Sequence, residues 1–507
     1  MSQWFKLAML MGTLFATACG ASSKASQTPA DSPSELPKAR RISSGGGGAC
    51  SGRPSRSRSS GESIGGGGSV STEFLTIDYL HRDELNFRAG VLLIPILIGF
   101  LGGASRIRLA AVAVGASVWF FGFALCLGVM MAISPIAARH YGAGNPELIG
   151  RYTRQGMYLG FALGLPLILL AQFAVEPALR LIGIDPEFLD LTVGYVKAIM
   201  FGAPGILIFL ALRFTTEGIG HTRPIMFTSV FALSVNVFLN WVLMFGNLGA
   251  PALGVVGCGL ASAASMWLVA AALGLHVAFG KHYRPFNIFS RVGPVRPPVL
   301  KEIVVLGIPI AVTIMAEAGL FAAVSILMGT RGVEITAAHQ IAINFASTMF
   351  MVPLALSAAT TIRVGQLLGA GDRHLARKGG ALGIALCGMF MTASALFMLA
   401  FRDGVVMLYT DDPAVRGIAI GLLLMAAIFQ IADGVQIGAA GALRGYKDTR
   451  IPMFVNMFAF WVLAFPLAFL AAITFQAPPN YIWGGFVVGL ATAALLLTWR
   501  YHRISEV

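Results

Sequence analysis

The sequence predicts an all-α polytopic membrane protein with twelve membrane-spanning helices arranged as two six-helix bundles. Three observations predict this class: a low content of charged residues, a series of long apolar runs and an internal repeat. Hydrophobic residues make up 56% of the 507 residues and charged residues only 12%, and the mean hydropathy is +0.77. Because a soluble domain averages about 25% charged residues, this chain needs lipid to cover most of its surface.

The apolar runs have the length of membrane-spanning helices. Crossing a hydrocarbon core of ~30 Å takes about 20 apolar residues in a helix. Only helices and closed barrels satisfy all backbone hydrogen bonds in lipid, and the sequence shows no strand-like alternation. Twelve runs meet the requirement: 89–105, 109–137, 156–175, 191–212, 224–246, 255–280, 303–328, 335–362, 381–401, 417–440, 452–474 and 481–499.

The distribution of Lys and Arg predicts the orientation of these helices. The even-numbered connections between the runs carry seventeen Lys and Arg residues and the odd-numbered ones five. Basic residues are retained on the cytoplasmic side of a membrane, so the even-numbered connections and both termini are predicted to be cytoplasmic. The same placement explains the net charge of +13 without nucleic acid as a partner.

Three landmarks recur at a constant spacing of 227 residues. Gly142-Ala143-Gly144 matches Gly369-Ala370-Gly371, Asp185-Pro186 matches Asp412-Pro413, and Gly218 with Thr222-Arg223 matches Gly445 with Thr449-Arg450. Each copy holds six helices, an even number, so both copies have the same orientation. This is the parallel-repeat arrangement, with a pseudo-twofold axis along the membrane normal and a substrate path between the halves.

The repeat sets the predicted domains. Residues 81–280 form the first six-helix bundle, 281–302 a cytoplasmic linker and 303–507 the second bundle. Residues 1–80 are expected to be a signal-like segment followed by a disordered extension rich in Ser, Gly and Arg. Cys19 stands where a lipoprotein signal would be acylated, but processing there conflicts with the basic connections, so we expect Cys19 to be unmodified.

Polar residues inside the runs are candidates for function, because an ionisable group at membrane depth is costly. Two acids stand out, Glu317 in run 303–328 and Asp433 in run 417–440. A structural hydrogen bond to a neighbouring helix is the alternative role for both acids. Helical spacing places further amides on shared faces, where helix association and cavity lining are both open: Asn236 with Asn240, Gln340 with Asn344, and Gln430 and Gln436 with Asp433.

An intramembrane enzyme is disfavoured by the same residues. Such an enzyme needs two catalytic groups within hydrogen-bond reach, for example paired Asp with a Gly-x-Gly-Asp motif. That motif, a Ser–His pairing and a metal-ligand cluster are all absent from the predicted helices. No catalytic residues and no cofactor are therefore predicted.

The motifs of the chain resemble the NorM-type branch of the multidrug and toxic compound extrusion (MATE) transporters over about residues 109–500. The segments that carry the resemblance are GIGHTRPIMF (218–227), NVFLNW (236–241), GAPALGVVGCGLAS (249–262), AAHQIAINFASTMFMVPLALS (337–357), TIRVGQLLGAGD (361–372) and GAAGALRGYKDTRIPMF (438–454). The resemblance implies two six-helix bundles around a V-shaped central cleft. It also implies a monomer in the bacterial inner membrane.

The resemblance further implies efflux of amphiphilic or cationic drugs, including antibiotics, in exchange for Na⁺ or H⁺. The family's cation-coupling acids fall on Glu317 and Asp433, where a Na⁺ would be held, and its cavity positions are similar to Asn236, Asn240, Gln340, Asn344, Gln430 and Gln436. A flippase for lipid-linked oligosaccharide in a similar fold is the alternative. It would favour a cavity lined by Arg and Lys.

One departure concerns the first helix. The family's first helix usually carries an Asp in an Asp-Thr-Val-Met-x-Gly-like motif, and the repeat register places that position at Leu97. Residues before about 109 show no resemblance to the family by inspection. Either the acid has been lost, or the sequence upstream is not the authentic start of the protein.

Overall fold

The computed structural model describes residues 106–289 and 293–506, and all regular structure in that part of the chain is helical. The first half contains eight α-helices: α1 (Arg106–Met131), α2 (Ile133–Gly142), α3 (Pro146–Phe173), α4 (Val175–Ile182), α5 (Pro186–Met200), α6 (Ala203–Gly218), α7 (Arg223–Phe245) and α8 (Gly254–Phe279). The predicted run 89–105 and the expectations for residues 1–80 lie outside the described residues.

The second half contains seven α-helices: α9 (Pro297–Gly329), α10 (Val333–Gly369), α11 (Arg373–Met407), α12 (Pro413–Gly445), α13 (Arg450–Met457), α14 (Phe465–Phe469) and α15 (Pro479–Glu506). Two π-helical segments, Phe458–Ala464 and Leu470–Thr474, make α13 and α14 parts of one span, Arg450–Thr474.

Ten helices of the described chain are long and apolar enough to cross a membrane. The pair α5 and α6, bent by 44° at the break between them, makes an eleventh span when it is counted as one. These eleven spans coincide with the predicted runs from 109–137 to 481–499, and the all-helical polytopic class is confirmed.

The helix boundaries repeat at the spacing of 227 residues. The stretch from the start of α1 to the end of α2, 106–142, corresponds to α10, 333–369. The helices α5 and α12 begin at the matching prolines Pro186 and Pro413. Each is capped by the preceding aspartate, Asp185 or Asp412, whose carboxylate accepts a backbone N–H at 2.9 Å. The duplication therefore extends from sequence landmarks to helix ends and caps.

The two halves have separate hydrophobic cores, and α9 belongs to both. Ile303 and Ile310, in the first part of α9, pack in the core of the first half. Leu320 and Val324, in its second part, pack in the core of the second half. A β-carbon at Gly307 would lie 2.6 Å from the Cα of Val129 in α1, so α9 and α1 pack with their backbones in close contact.

The even-numbered connections meet at one end of the molecule, which we call the basic face. Gln366 near the end of α10 donates to the carbonyl oxygen of Gly218 at the end of α6, at 3.0 Å. Lys447, after α12, forms an ion pair of 2.8 Å with Glu302 at the start of α9. These contacts join both halves of the chain at the basic face.

At the basic face α2 and α10 cross with their backbones in contact. A β-carbon at Gly142 would collide with the carbonyl oxygen of Gln366, and one at Gly369 would collide with the carbonyl oxygen of Arg139. The two contacts are equivalent in the repeat, because Gly142 corresponds to Gly369 and Arg139 corresponds to Gln366. The crossing therefore lies on the pseudo-twofold axis, and glycine is required on both helices.

We predict that Gly142→Ala and Gly369→Ala each lower the thermal unfolding midpoint of the detergent-purified protein. Forcing an extra carbon into a close-packed contact costs about 1–3 kcal/mol. Gly484→Ala is the matched control, because a β-carbon at this helical glycine meets no atom within 4 Å and alanine favours a helix. Equal midpoints for all three variants would contradict the close crossing.

Candidate functional site

The two membrane-depth acids lie on helices of the second half. Glu317 is half-buried in the middle of α9 and Asp433 is 4% exposed in α12. The carboxyl group of Glu317 is close enough to act electrostatically on Asp433. The helix α9 is fixed at this level by Trp461, whose indole N–H donates to the carbonyl oxygen of Ala316 at 3.2 Å. The structure thus places the two acids that the sequence singled out within electrostatic range of each other.

The polar atoms around Asp433 are incompletely satisfied. Its Oδ1 is buried without a hydrogen-bond donor, and so is Oε1 of Gln436, one turn further along α12. Gln430 behaves differently, because its amide group bonds to Ser394 and to the carbonyl oxygen of Ala346, both at 3.3 Å. A buried acceptor without a donor costs about 1–3 kcal/mol. Two such oxygens on one face suit a proton or a small cation as partner.

Three aromatic rings pack together about one helical turn from the acids, on the side away from the basic face. Phe321 lies one turn after Glu317 in α9, and Phe429 lies one turn before Asp433 in α12. Both helices have their other ends at the basic face, so the two rings lie on the same side of the acids. Phe486 of α15 stacks on Phe321 at 4.8 Å and contacts Phe429 at 6.0 Å between ring centroids.

His339 supports this cluster from behind. It is fully buried in α10, and its Nδ1 accepts a hydrogen bond of 3.1 Å from the indole N–H of Trp483. Because Nδ1 is an acceptor, the ring proton is on Nε2, which lies 2.9 Å from the hydroxyl of Ser325. His339 therefore links α9, α10 and α15 as a neutral side chain.

The other predicted amides lie elsewhere. Asn240 in α7 is 2% exposed and donates to the side-chain oxygen of Asn236 at 3.0 Å, and Asn236 donates to Ser265 of α8 at 3.3 Å. Gln340 and Asn344 are both exposed on α10. The eight predicted residues thus fall into three groups: a buried acid site with its amides, a bonded pair in the first half, and an exposed pair.

Two features were not predicted. Asn456 of α13 is completely buried, and both polar atoms of its amide lack a partner; an amide inside run 452–474 was the available signal. The second is a link at the basic face, where Glu302 accepts from the hydroxyl of Tyr152 in α3 as well as pairing with Lys447. Glu302 is the single acid in the basic linker 281–302, and this was the sequence feature that could have indicated the link.

We predict that Asp433→Asn does not destabilise the purified protein in sodium-free buffer at neutral pH. The change keeps the side-chain shape and replaces a carboxyl group whose Oδ1 is buried without a donor. Asp372→Asn is the control, since this residue caps α11 through Leu375 at 2.8 Å and asparagine caps equally well. Thermal unfolding measures both variants. A marked loss of stability in Asp433→Asn alone would assign Asp433 a structural bond instead.

Several solved structures share the fold. A eukaryotic MATE transporter, AtDTX14, superposes with a TM-score of 0.72 at 22% identity, over 83% of this chain and 94% of that chain. A multidrug resistance MATE family transporter in an outward-facing conformation gives 0.74 at 21%, over 83% and 93%. A MOP superfamily transporter from Pyrococcus furiosus gives 0.73 at 20%, over 83% and 92%.

The sequence also matches the family model MatE twice, over residues 91–242 and 309–470. The two matches correspond to the two copies of the repeat. The first begins at residue 91, so the expectation that residues before about 109 show no resemblance to the family is wrong for residues 91–108. The apolar run 89–105 carries too few polar landmarks for that resemblance to be visible by inspection. Together the matches cover more than half of the chain, which therefore belongs to the MatE family of multi-pass membrane transporters.

Proposed function

We propose that this transporter is a secondary active multidrug exporter that exchanges amphiphilic or cationic drugs for Na⁺ or H⁺. The observation that carries the proposal is the acid pair Glu317 and Asp433 in the second half. Two neighbouring carboxyl groups at membrane depth are costly unless a proton or cation neutralises them. Carboxylate and amide oxygens are the ligands that hard cations prefer, and Gln436 supplies a further oxygen.

In this proposal, the helix α9 couples cation binding at the acid site to the arrangement of the two halves. Glu317 lies just after the part of α9 that packs in the first half, at the start of the part that packs in the second. Neutralising its charge changes the electrostatics of the one described helix that both cores share. In this proposal, cation binding shifts the equilibrium between two arrangements of the halves, because the cation has different affinities for them.

From the contacts between the halves, we infer that this arrangement is closed at the basic face. The α2–α10 crossing and the link from Glu302 to Tyr152 and Lys447 hold the halves together there. Opening toward the basic face requires both contacts to separate. We infer that drug enters from the basic side after this separation and leaves from the opposite side.

We propose a bacterial inner membrane as the location, with both termini and the basic face in the cytoplasm. The positive-inside bias of the connections supports this orientation. In this orientation, export moves the drug from the basic face to the opposite side of the membrane.

The flippase alternative has less support. A lipid pyrophosphate would need Arg or Lys facing the central path. The predicted cavity residues Gln340 and Asn344 are exposed but neutral, and the acids of the second half would repel a phosphate.

Transport in everted membrane vesicles tests the function and the orientation together. We expect norfloxacin to accumulate in vesicles that contain the protein when a Na⁺ or H⁺ gradient, imposed separately, runs out of the vesicle lumen. Glu317→Gln and Asp433→Asn should each lower gradient-driven accumulation by at least about 10-fold, because the amide cannot take up the cation's charge.

Glu334→Gln serves as the control, since this exposed acid at the start of α10 lies outside the acid site and should transport normally. Full gradient-driven transport by both acid variants would contradict the proposed coupling roles of Glu317 and Asp433. Movement of a fluorescent lipid-linked sugar without any drug transport would favour the flippase.

A further inference from the structure

Buried polar atoms without hydrogen-bond partners are concentrated in one region of the second half. In the described part of that half, 297–506, six residues have side-chain atoms of this kind. They lie on α12, α13 and α15 and on the connection between α12 and α13: Asp433, Gln436, Tyr446, Thr449, Asn456 and Thr498. A buried polar atom without a partner destabilises a protein. Six such residues in one region therefore indicate a shared partner other than protein.

Helical register places Asn456 on the basic side of the acids. Trp461 donates to the carbonyl oxygen of Ala316, the residue before Glu317, at 3.2 Å. Asn456 precedes Trp461 by five residues in a span that starts at the basic face, so it lies about 7 Å nearer that face, from the rise per residue of a helix. Asn456 is completely buried, and both polar atoms of its amide lack a partner.

The apolar core of the second half is divided in two at this level. Three helical segments show the same break between the main core and a smaller cluster: Ala432 and Val435 in α12, Ala459 and Val455 in the span of α13, and Ala493 and Leu497 in α15. Asp433 lies in the first break and Asn456 in the second. We call Asp433, Gln436 and Asn456 the polar layer, because these buried side chains lie where the two apolar clusters separate.

Hydroxyl groups continue from the polar layer to the basic face. Tyr446 packs against the smaller cluster, and its ring centroid lies 6.1 Å from that of Tyr501. Thr498 lies one turn before Tyr501, on the same side of α15. Thr449 precedes α13, and its side chain does not cap that helix. Because α12 ends and α13 begins at the basic face, these hydroxyl groups lie between the polar layer and that face.

We propose that these six residues line a narrow passage inside the second half, through which the coupling ion moves between the acid site and the basic face. Water satisfies buried polar atoms that have no protein partner. Polar groups inside membrane helices mark proton and ion pathways, and oxygen atoms are the ligands that small hard cations prefer. The passage rests on the proposed exchange of drug for Na⁺ or H⁺, and it gives the ion a route separate from the drug path.

A passage within one half sets the order of events at the basic face. Ion movement along it does not require the glycine crossing or the link at Glu302 to separate, because neither contact lies within the passage. Drug entry requires both contacts to separate. The ion therefore leaves first, and the charge that remains on the acids favours the arrangement that opens to drug.

Asn456→Leu tests the passage, because leucine has the same branched shape and no polar atoms. We expect gradient-driven norfloxacin transport to fall by about 5- to 100-fold, since the ion loses two hydrogen-bonding atoms on its route. Norfloxacin binding without a gradient should be unchanged. The thermal unfolding midpoint should not fall, because the two atoms that are removed have no partner. A purely structural role of Asn456 predicts the opposite pattern, a lower midpoint with normal transport.

Matched variants accompany this change. Thr498→Val removes one hydroxyl group of the passage and should lower transport by a smaller factor. Thr228→Val is the control in the first half, where this buried hydroxyl donates to the carbonyl oxygen of Pro224 within its own helix at 3.0 Å, and it should transport normally. Asn456→Ser keeps a polar group and leaves room for water, so it should retain most of the transport.

Reaction of a thiol with Ag⁺, a small monovalent cation, tests access without measuring transport. Asn456→Cys is made in a variant whose five native cysteines are replaced, and maleimide labelling after denaturation measures the thiol that remains. Ala370→Cys, at an exposed position of the basic face, shows which vesicles present that face to the medium. We expect Ag⁺ to react with the Asn456→Cys thiol faster in these vesicles than in vesicles of the opposite orientation.

The outcomes separate the passage from the export function. Wild-type transport by Asn456→Leu, or an Asn456→Cys thiol that does not react or reacts faster from the opposite face, would overturn the passage while drug export stands. Absence of drug transport by the wild type in any ion gradient would overturn the export function and the passage as the coupling ion's route.

Discussion

The backbone contact between α2 and α10 is the constraint on which the arrangement of the two halves depends. Gly142 and Gly369 each lie against a carbonyl oxygen of the other helix, and the two contacts are related by one repeat. Such an approach is possible only without side chains. It brings the basic connections of both halves to one face, where Glu302 joins them further. The helices α1 and α10 have at most marginal contact with each other in the described part of the chain.

The two copies of the repeat share one helix arrangement, but both membrane-depth acids, Glu317 and Asp433, lie in the second copy. The repeat position of Asp433 in the first half is Ile206, which is buried in the hydrophobic core. Likewise Gln340 and Asn344 correspond to Ala113 and Ser117. The second copy therefore holds both acids and the exposed amides of α10, where the first copy has Ala113 and Ser117. The helix α9, which carries Glu317, contributes to the cores of both halves.

The sequence predicted the parts of this picture that depend on local pattern. Hydropathy located eleven spans, the landmarks located the repeat, and the cost of burying charge identified Glu317 and Asp433. The sequence could not show that the amide of Gln430 is hydrogen-bonded within the core while Oε1 of Gln436 has no donor. Helical spacing places both residues on one face of α12. The α10 crossing, the role of α9 in both cores and the link at Glu302 arise from contacts between residues more than 140 positions apart.

The central claim is that the halves separate at the basic face while they approach at the other. Pulsed electron paramagnetic resonance tests it with spin labels on two repeat-related pairs of exposed positions, Ala143 with Ala370 and Glu187 with Ala414, in a variant whose five native cysteines are replaced. We predict a short distance for the first pair in the resting state, which lengthens when the coupling ion and drug are exchanged, while the second pair shortens. A fixed first distance during transport, or changes of the same sign in both pairs, would contradict the account.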